Sequence, residues 1–271
     1  MRDGRSFSLL AVTHTPPPAL ERGERTFVSR APIDFPLALR QHAAYCALLE
    51  NCGAKVITLD VNREHPDAVF VEDTAVVLDE IAVMASPGAE SRRAETPGIE
   101  QALRNFRDVR RIELPATLDG GDVVVAGRTI LVGASARTSE AGARALQEFT
   151  APFGYVVRRV PLRDCLHLKS ACCALPDGRL LVNPHWLDCA TLDGFDLLPI
   201  PPDEPFAADF ATVGEIVIVS ATNPLTARMI RGLGFDVRAT PLTEFEKAEG
   251  GVTCLSIIFR VACGAHHDHV S

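Results

Sequence analysis

Four places along the chain carry side chains that could do chemistry if the fold brought them together. Glu72 and Asp73 are adjacent carboxylates inside a run that is otherwise Val69, Phe70, Val71, Ala75, Val76 and Val77. Burying two carboxylates is expensive without a cationic partner, so this pair points to a bound cation or an internal ion pair. Asp119 precedes Gly120 and Gly121, which permit close backbone approach. His167 lies in Cys165-Leu166-His167-Leu168-Lys169, and Cys254 in Gly250-Gly251-Val252-Thr253-Cys254-Leu255-Ser256. Carboxylate, imidazole and thiol are the ingredients of a nucleophile, an acid/base and an orienting partner. Each also has a structural reading: Cys254 as a small buried hydrophobe, His167 as a hydrogen-bonded core or surface histidine, Asp119 as a turn residue.

What joins the four is a repeat. A strand-like run, a tight turn and a second strand-like run recur at roughly 45–50 residues. The hairpins read 69–77 into 81–84, 121–125 into 129–132, 169–175 into 179–182, and 210–213 into 215–219. A final strand at 252–261 needs a partner, and 7–12 can supply it, closing a ring of five units across the two chain ends and removing exposed sheet edges. Helical periodicity follows at 37–49 before Cys52-Gly53, at 98–106, at 139–149 with Ser139 as N-cap, and at 224–233 before Gly234. Short strands come next at 55–59, 109–114, 155–160 and 235–239, while 187–205 is rich in Pro and Asp and poor in helix signal. The prediction is one α/β domain over 1–271 with pseudo-fivefold symmetry. Its first strands would surround the axis, and the loops leaving them would pool polar residues at one mouth.

Composition agrees with a self-sufficient core and narrows the partners. At 271 residues and 47% apolar, a chain buries on the order of 70–75% of its unfolded surface. With 35 acidic and 27 basic side chains, the formal charge is -8, which argues against a nucleic-acid partner and fits a cationic small molecule better. Eight cysteines with no CxxC spacing, and no apolar leader at residues 1–4, predict reduced thiols, no structural metal and a cytoplasmic protein. Apolar stretches fall far short of the roughly 20 residues that span a bilayer, so no membrane partner is expected.

Six segments in order then carry a resemblance: Asp67-Ala68-Val69-Phe70-Val71-Glu72-Asp73, Pro87-Gly88-Ala89-Glu90-Ser91-Arg92-Arg93, Thr117-Leu118-Asp119-Gly120-Gly121-Asp122-Val123, Gly133-Ala134-Ser135-Ala136-Arg137-Thr138, Leu166-His167-Leu168-Lys169-Ser170 and Thr253-Cys254-Leu255-Ser256. In these the chain resembles the dimethylarginine dimethylaminohydrolases of the guanidine-modifying superfamily, whose fold is the five-bladed α/β propeller, or pentein. The resemblance implies Cys254 as nucleophile, His167 as general acid/base and Asp119 as its orienting partner. It implies Asp67, Glu72 and Asp73 as the acidic pocket, Phe70 beside the methylated nitrogens, Arg92 and Arg137 on the amino-acid carboxylate, and backbone contacts from Ala248. It implies hydrolysis of a methylated arginine to citrulline without a cofactor or metal, with a homodimer left open.

One departure bears on specificity. Arginine deiminases and related penteins place an acid two residues after the histidine, where this chain has Lys169; that favours an alkylated guanidinium over free arginine. Other guanidine hydrolases or amidinotransferases are the competing enzyme class. A non-catalytic ribosome-binding pentein is the competing non-enzyme, against which Cys254, His167 and Asp119 together argue. The Pro-rich 16–32 segment reads equally as an active-site lid or a static surface loop, and His266-His267-Asp268-His269 as a frayed tail from about 262 onward.

Overall fold

The computed structural model describes residues 7–262. Alternating and all-apolar runs fold into five three-stranded sheets, each an antiparallel pair extended by a parallel third strand. β1 (Phe7–His14) and β2 (Ala54–Leu59) belong to the closing sheet, and β3 (Ala75–Val77), β4 (Ile81–Met84) and β5 (Asp108–Arg111) form the next. They are followed by β6 (Val123–Ala126), β7 (Thr129–Ala134) and β8 (Val156–Pro161), then β9 (Cys172–Ala174), β10 (Leu180–Val182) and β11 (Leu197–Pro199). β12 (Phe210–Val213), β13 (Ile216–Ser220) and β14 (Asp236–Thr240) make the last complete unit, and β15 (Ile257–Ala262) returns to pair antiparallel with β1, Phe7 opposite Ala262. Closure across the two chain ends is as the alternation predicts, and the architecture is a five-bladed α/β propeller. The C-terminal segment expected to fray lies outside the described residues from 263 onward.

Helices carry the chain from the second strand of a blade to its third. Phe35–Asn51 begins at Asp34, whose carboxylate accepts the Leu37 N–H, and Glu140–Thr150 begins at Ser139, whose hydroxyl accepts the Gly142 N–H. Thr96–Leu103 and Pro224–Gly232 complete the set, and the helix-poor fourth unit has only a single turn at Cys189–Leu192. Their apolar faces cover the sheets: Ile99, Leu103, Leu146 and Ile230 are fully buried. The outermost strand β5 is charged and largely exposed, through Asp108, Arg110 and Arg111, which blunts its free edge. Among the described residues no helix is long and apolar enough to cross a membrane.

The structure corrects one expectation that matters for function. The polar residues do not sit on loops leaving the first strands but on tight helical turns entering them. Val71–Thr74 precedes β3, Gly120–Asp122 precedes β6, Leu168–Ala171 precedes β9 and Thr253–Leu255 precedes β15. Runs such as 69–77 and 252–261 are therefore part turn, part strand, the strands beginning at Ala75 and Ile257. Residues from these turns border one cavity, so the blades deliver polar side chains to the same end of the axis.

Candidate active site

Where the turns converge, a cavity of about 370 Å³ opens, bordered by Glu72, Gly121, His167, Lys169, Asp209, Glu249 and Cys254 among others. Cys254 sits in the turn before β15 with its thiol partly exposed to this space and accepting the Gly251 N–H at 3.3 Å. His167 precedes the turn of the fourth blade, and its Nε2 lies 3.0 Å from Asp119 Oδ2. Asp119 is fully buried and held in turn, its Oδ1 accepting the Gly88 N–H at 2.9 Å and its own N–H donating to Thr138 Oγ1. Asp122, which sequence reasoning did not single out, fixes the other side of the histidine: its Oδ1 accepts the Leu168 N–H at 3.0 Å.

These neighbours set the charges. Burial alone would lower the His167 pKa, but the Asp73 carboxylate, the Asp119 hydrogen bond and Asp122 raise it to about 9, so the imidazole is cationic at neutral pH. Nδ1 stands 3.6 Å from Asp73 Oδ1, beyond hydrogen-bond reach, which leaves its proton transferable. The Cys254 thiol is pushed well above its ordinary value by burial and by the Asp209, Asp73 and Glu72 carboxylates. The resting site is thus imidazolium beside thiol.

The acidic residues divide into two groups. Glu72 gives Oε1 to the Lys169 ammonium, while Oε2 is buried without a hydrogen-bond partner. The ion pair also borders a second cavity, of about 290 Å³, lined by first strands on the opposite side of the ring, so it stands as a partition across the axis. Asp73 faces the other way, to Arg92 and to the Gly121 N–H at 3.0 Å. Burial would raise the Asp73 carboxyl, but His167 and Arg92 together hold it below the ordinary range. Asp73, Asp119 and His167 each place one ligand atom within 4.8 Å of the others, a spacing that suits a cation. Arg92 and the Asp119–His167 hydrogen bond already satisfy these groups.

Several residues implied by the resemblance lie behind the wall and not on it. Arg92 is 5% exposed and spends its guanidinium on Asp73, Glu95 (2.9 Å) and the Phe70 carbonyl (2.9 Å). Phe70 packs its ring against Gly250, and Ala248 is buried in the same cluster. Asp67 accepts the Glu24 N–H at 3.0 Å, tying down the Pro-rich segment. Arg137 is partly exposed, and its guanidinium makes no hydrogen bond or ion pair among the described residues. That segment does border the cavity through Phe27 and Val28, and Glu249 accepts the N–H groups of Thr26 (2.6 Å) and Phe27 (2.9 Å). Glu249, with its backbone in the left-handed region (φ 64°), was not foreseen; its position beside Gly250-Gly251 was the available signal.

A second thiol–imidazole pair provides a contrast. Cys46 Sγ lies 3.7 Å from His42 Nδ1, but burial drives the His42 pKa down to about 4 and the Cys46 thiol up. Neutral imidazole beside a protonated thiol, with no carboxylate hydrogen-bonded to the imidazole among the described residues, is a packing pair.

Gly121 shows how tightly the active constellation is built. A Cβ there would meet Asp73 Oδ1 and His167 Nδ1 at 2.6 Å. Gly121→Ala is expected to cut kcat about 100-fold by displacing the imidazole, with the His167 NMR titration shifted in step; unchanged kinetics would show that the ring position is not critical.

The geometry agrees with similarity to known proteins. A family model described as N,N dimethylarginine dimethylhydrolase, eukaryotic, matches residues 30–169. A Streptomyces coelicolor protein named N(G),N(G)-dimethylarginine dimethylaminohydrolase is 41% identical over 92% of this chain and 96% of its own length. A crystal structure of a dimethylarginine dimethylaminohydrolase variant in adduct with S-methyl-L-thiocitrulline superposes with a TM-score of 0.88, at 34% identity over 94% of this chain and all of the other. A mutant of the Pseudomonas aeruginosa enzyme complexed with citrulline gives a TM-score of 0.85 at 34% identity, covering 92% and 98% of the two chains.

Proposed function

The chain belongs to the dimethylarginine dimethylaminohydrolase family, and from that premise we propose that it hydrolyses an Nω-methylated arginine to citrulline and dimethylamine or methylamine, with Cys254 as nucleophile. The observation that carries the reading is that Cys254, His167 and Glu72 border one cavity, and that Glu72 has a buried carboxylate oxygen, Oε2, without a hydrogen-bond partner among the described residues. A guanidinium N–H edge would satisfy that oxygen.

Binding also prepares the nucleophile. A guanidinium carbon is a weak electrophile, so attack needs a thiolate. The substrate cation offsets the carboxylates that hold the proton on Cys254, and the thiol proton leaves to solvent. The sulfur then adds to the guanidinium carbon, His167 Nδ1–H protonates the departing methylated amine, and a cationic S-alkyl thiouronium remains. Neutral His167 takes a proton from water as its oxygen attacks. Collapse breaks the C–S bond and releases citrulline, and the thiolate regains a proton. Asp119 stabilises the imidazolium and fixes the ring throughout. Arg137, whose guanidinium is uncommitted, is proposed to meet the substrate α-carboxylate, and the 24–28 segment to cover the cavity.

Lys169 supports the methylated substrate. Because its ammonium occupies Oε1, Glu72 has one oxygen to offer, enough for a guanidinium with one unsubstituted edge. No second acid stands two residues after His167 to grip an additional N–H pair. Asymmetric dimethylarginine and monomethylarginine are expected to exceed arginine in kcat/KM by roughly 100-fold, read by citrulline formation and amine identification. Comparable efficiencies would overturn the specificity argument, and a guanidine product would assign an amidinotransferase instead.

A further inference from the structure

We propose that Asp209 is a positioning residue for the nucleophile, its carboxylate clamping the turn that carries Cys254 and fixing where the sulfur stands. The inference rests on the reading of Cys254 as nucleophile and adds a residue that the hairpin pattern alone did not single out.

Asp209 immediately precedes β12, the place in its blade that Asp122 holds before β6. It borders the catalytic cavity and is 7% exposed. Both carboxylate oxygens go to one residue: Oδ1 accepts the Thr253 N–H at 2.9 Å and Oδ2 accepts the Thr253 hydroxyl at 3.0 Å. Thr253 is the residue before Cys254, so its backbone and side chain are held at the same time. Gly251 closes the other side, lying so near that any Cβ there would strike the carboxylate. Its N–H is the donor to Cys254 Sγ. The Gly251–Cys254 loop is therefore wrapped around Asp209, and Asp209 is itself anchored by its N–H to the Phe206 carbonyl at 3.1 Å and by the β12–β13 ladder that follows.

The same carboxylate has a second, separable effect. Lys169, Glu72, Cys173, Tyr45 and Cys254 are the titratable groups around it. Burial pushes the Asp209 carboxyl up to about 6, so it is largely ionised at neutral pH, and there its charge opposes ionisation of Cys254. Clamp and charge can be told apart because asparagine keeps an acceptor for the Thr253 N–H, offers its amide to the Thr253 hydroxyl, and carries no charge.

The test compares Asp209→Ala and Asp209→Asn in the full chain. Three quantities are read: the rate of Cys254 alkylation by 2-chloroacetamidine against pH, located by mass spectrometry; kcat and KM for asymmetric dimethylarginine; and thermal unfolding. Asp209→Ala is expected to lower kcat and alkylation about 100-fold with KM little changed, as a sulfur misplaced by about 1 Å would. Asp209→Asn is expected to recover most of that loss and to move the alkylation profile about one pH unit lower. Folded Asp209→Ala with alkylation near the parent rate overturns the clamp, as does Asp209→Asn no better than Asp209→Ala. Should Asp209→Ala fail to fold, Thr253→Val takes its place, since it removes the hydroxyl bond to the carboxylate and keeps the charge: alkylation and kcat at the parent values in that variant overturn the clamp. Alkylation does not require turnover, so a parent protein that is alkylated but leaves methylated arginines intact refutes the substrate reading and leaves the Asp209 comparison standing.

Discussion

Cys254→Ser is expected to lower hydrolysis of asymmetric dimethylarginine by about 10⁴-fold or more while leaving the unfolding temperature close to that of the parent. The size of the effect follows from the charge state of the site. A serine hydroxyl needs a neutral base to take its proton, and His167, raised to about 9 by Asp73, Asp119 and Asp122, is already protonated at neutral pH. A thiol escapes that requirement, because a bound guanidinium can bring its pKa within reach and an alcohol's cannot be lowered as far. Alkylation by 2-chloroacetamidine should map to Cys254 and vanish in Cys254→Ser, while Cys46→Ser should keep both labelling and turnover. Cys46 is the informative control because it also has an imidazole at 3.7 Å, but one that burial keeps neutral. Full hydrolytic activity in Cys254→Ser would refute the covalent mechanism.

The same contrast shows what a sequence can and cannot reveal here. The hairpins and the closure of β15 on β1 were legible because two-residue alternation survives in short strands and five similar units leave one strand without a partner. Helices announced themselves through Ser139 at one start and through Gly53 and Gly234 after two ends, whereas the Asp34 cap emerged only in the structure. The turns that enter the first strands did not, because a helical turn of three or four residues is too short to show a helical period. Their invisibility placed the polar residues on loops leaving the first strands and not on the turns that enter them. Asp209 escaped for a related reason: next to Phe210 it reads as the polar flank of a hairpin, and only the fold reveals that it lies against Thr253, 44 residues on. Lys169 was read as the absence of an acid. Its positive role, occupying one oxygen of Glu72, depends on a contact across 97 positions.

Arg92 is where the resemblance and the structure pull apart, and its removal gives the largest expected effect on stability. Its side chain is 6% exposed and lies between Asp73, at 5%, and Glu95, at 2%. Burial would strip an isolated guanidinium of its charge, but Glu95, Asp73 and Asp67 hold it firmly protonated. Arg92→Ala leaves Glu95 buried without its cation and Asp73 with only His167 and the Gly121 N–H, and breaking such a group typically costs about 3–5 kcal/mol. Equilibrium unfolding in urea should record a loss of that size. The damage should also reach the chemistry, because Asp73 is the carboxylate that does most to keep His167 charged; once Asp73 protonates, the imidazole pKa falls. The His167 NMR titration should therefore move down in Arg92→Ala. An arginine that held only the substrate carboxylate would behave in the opposite way, with KM rising while unfolding and the His167 titration stayed unchanged. That second pattern would place Arg92 on the substrate and not in the frame behind it.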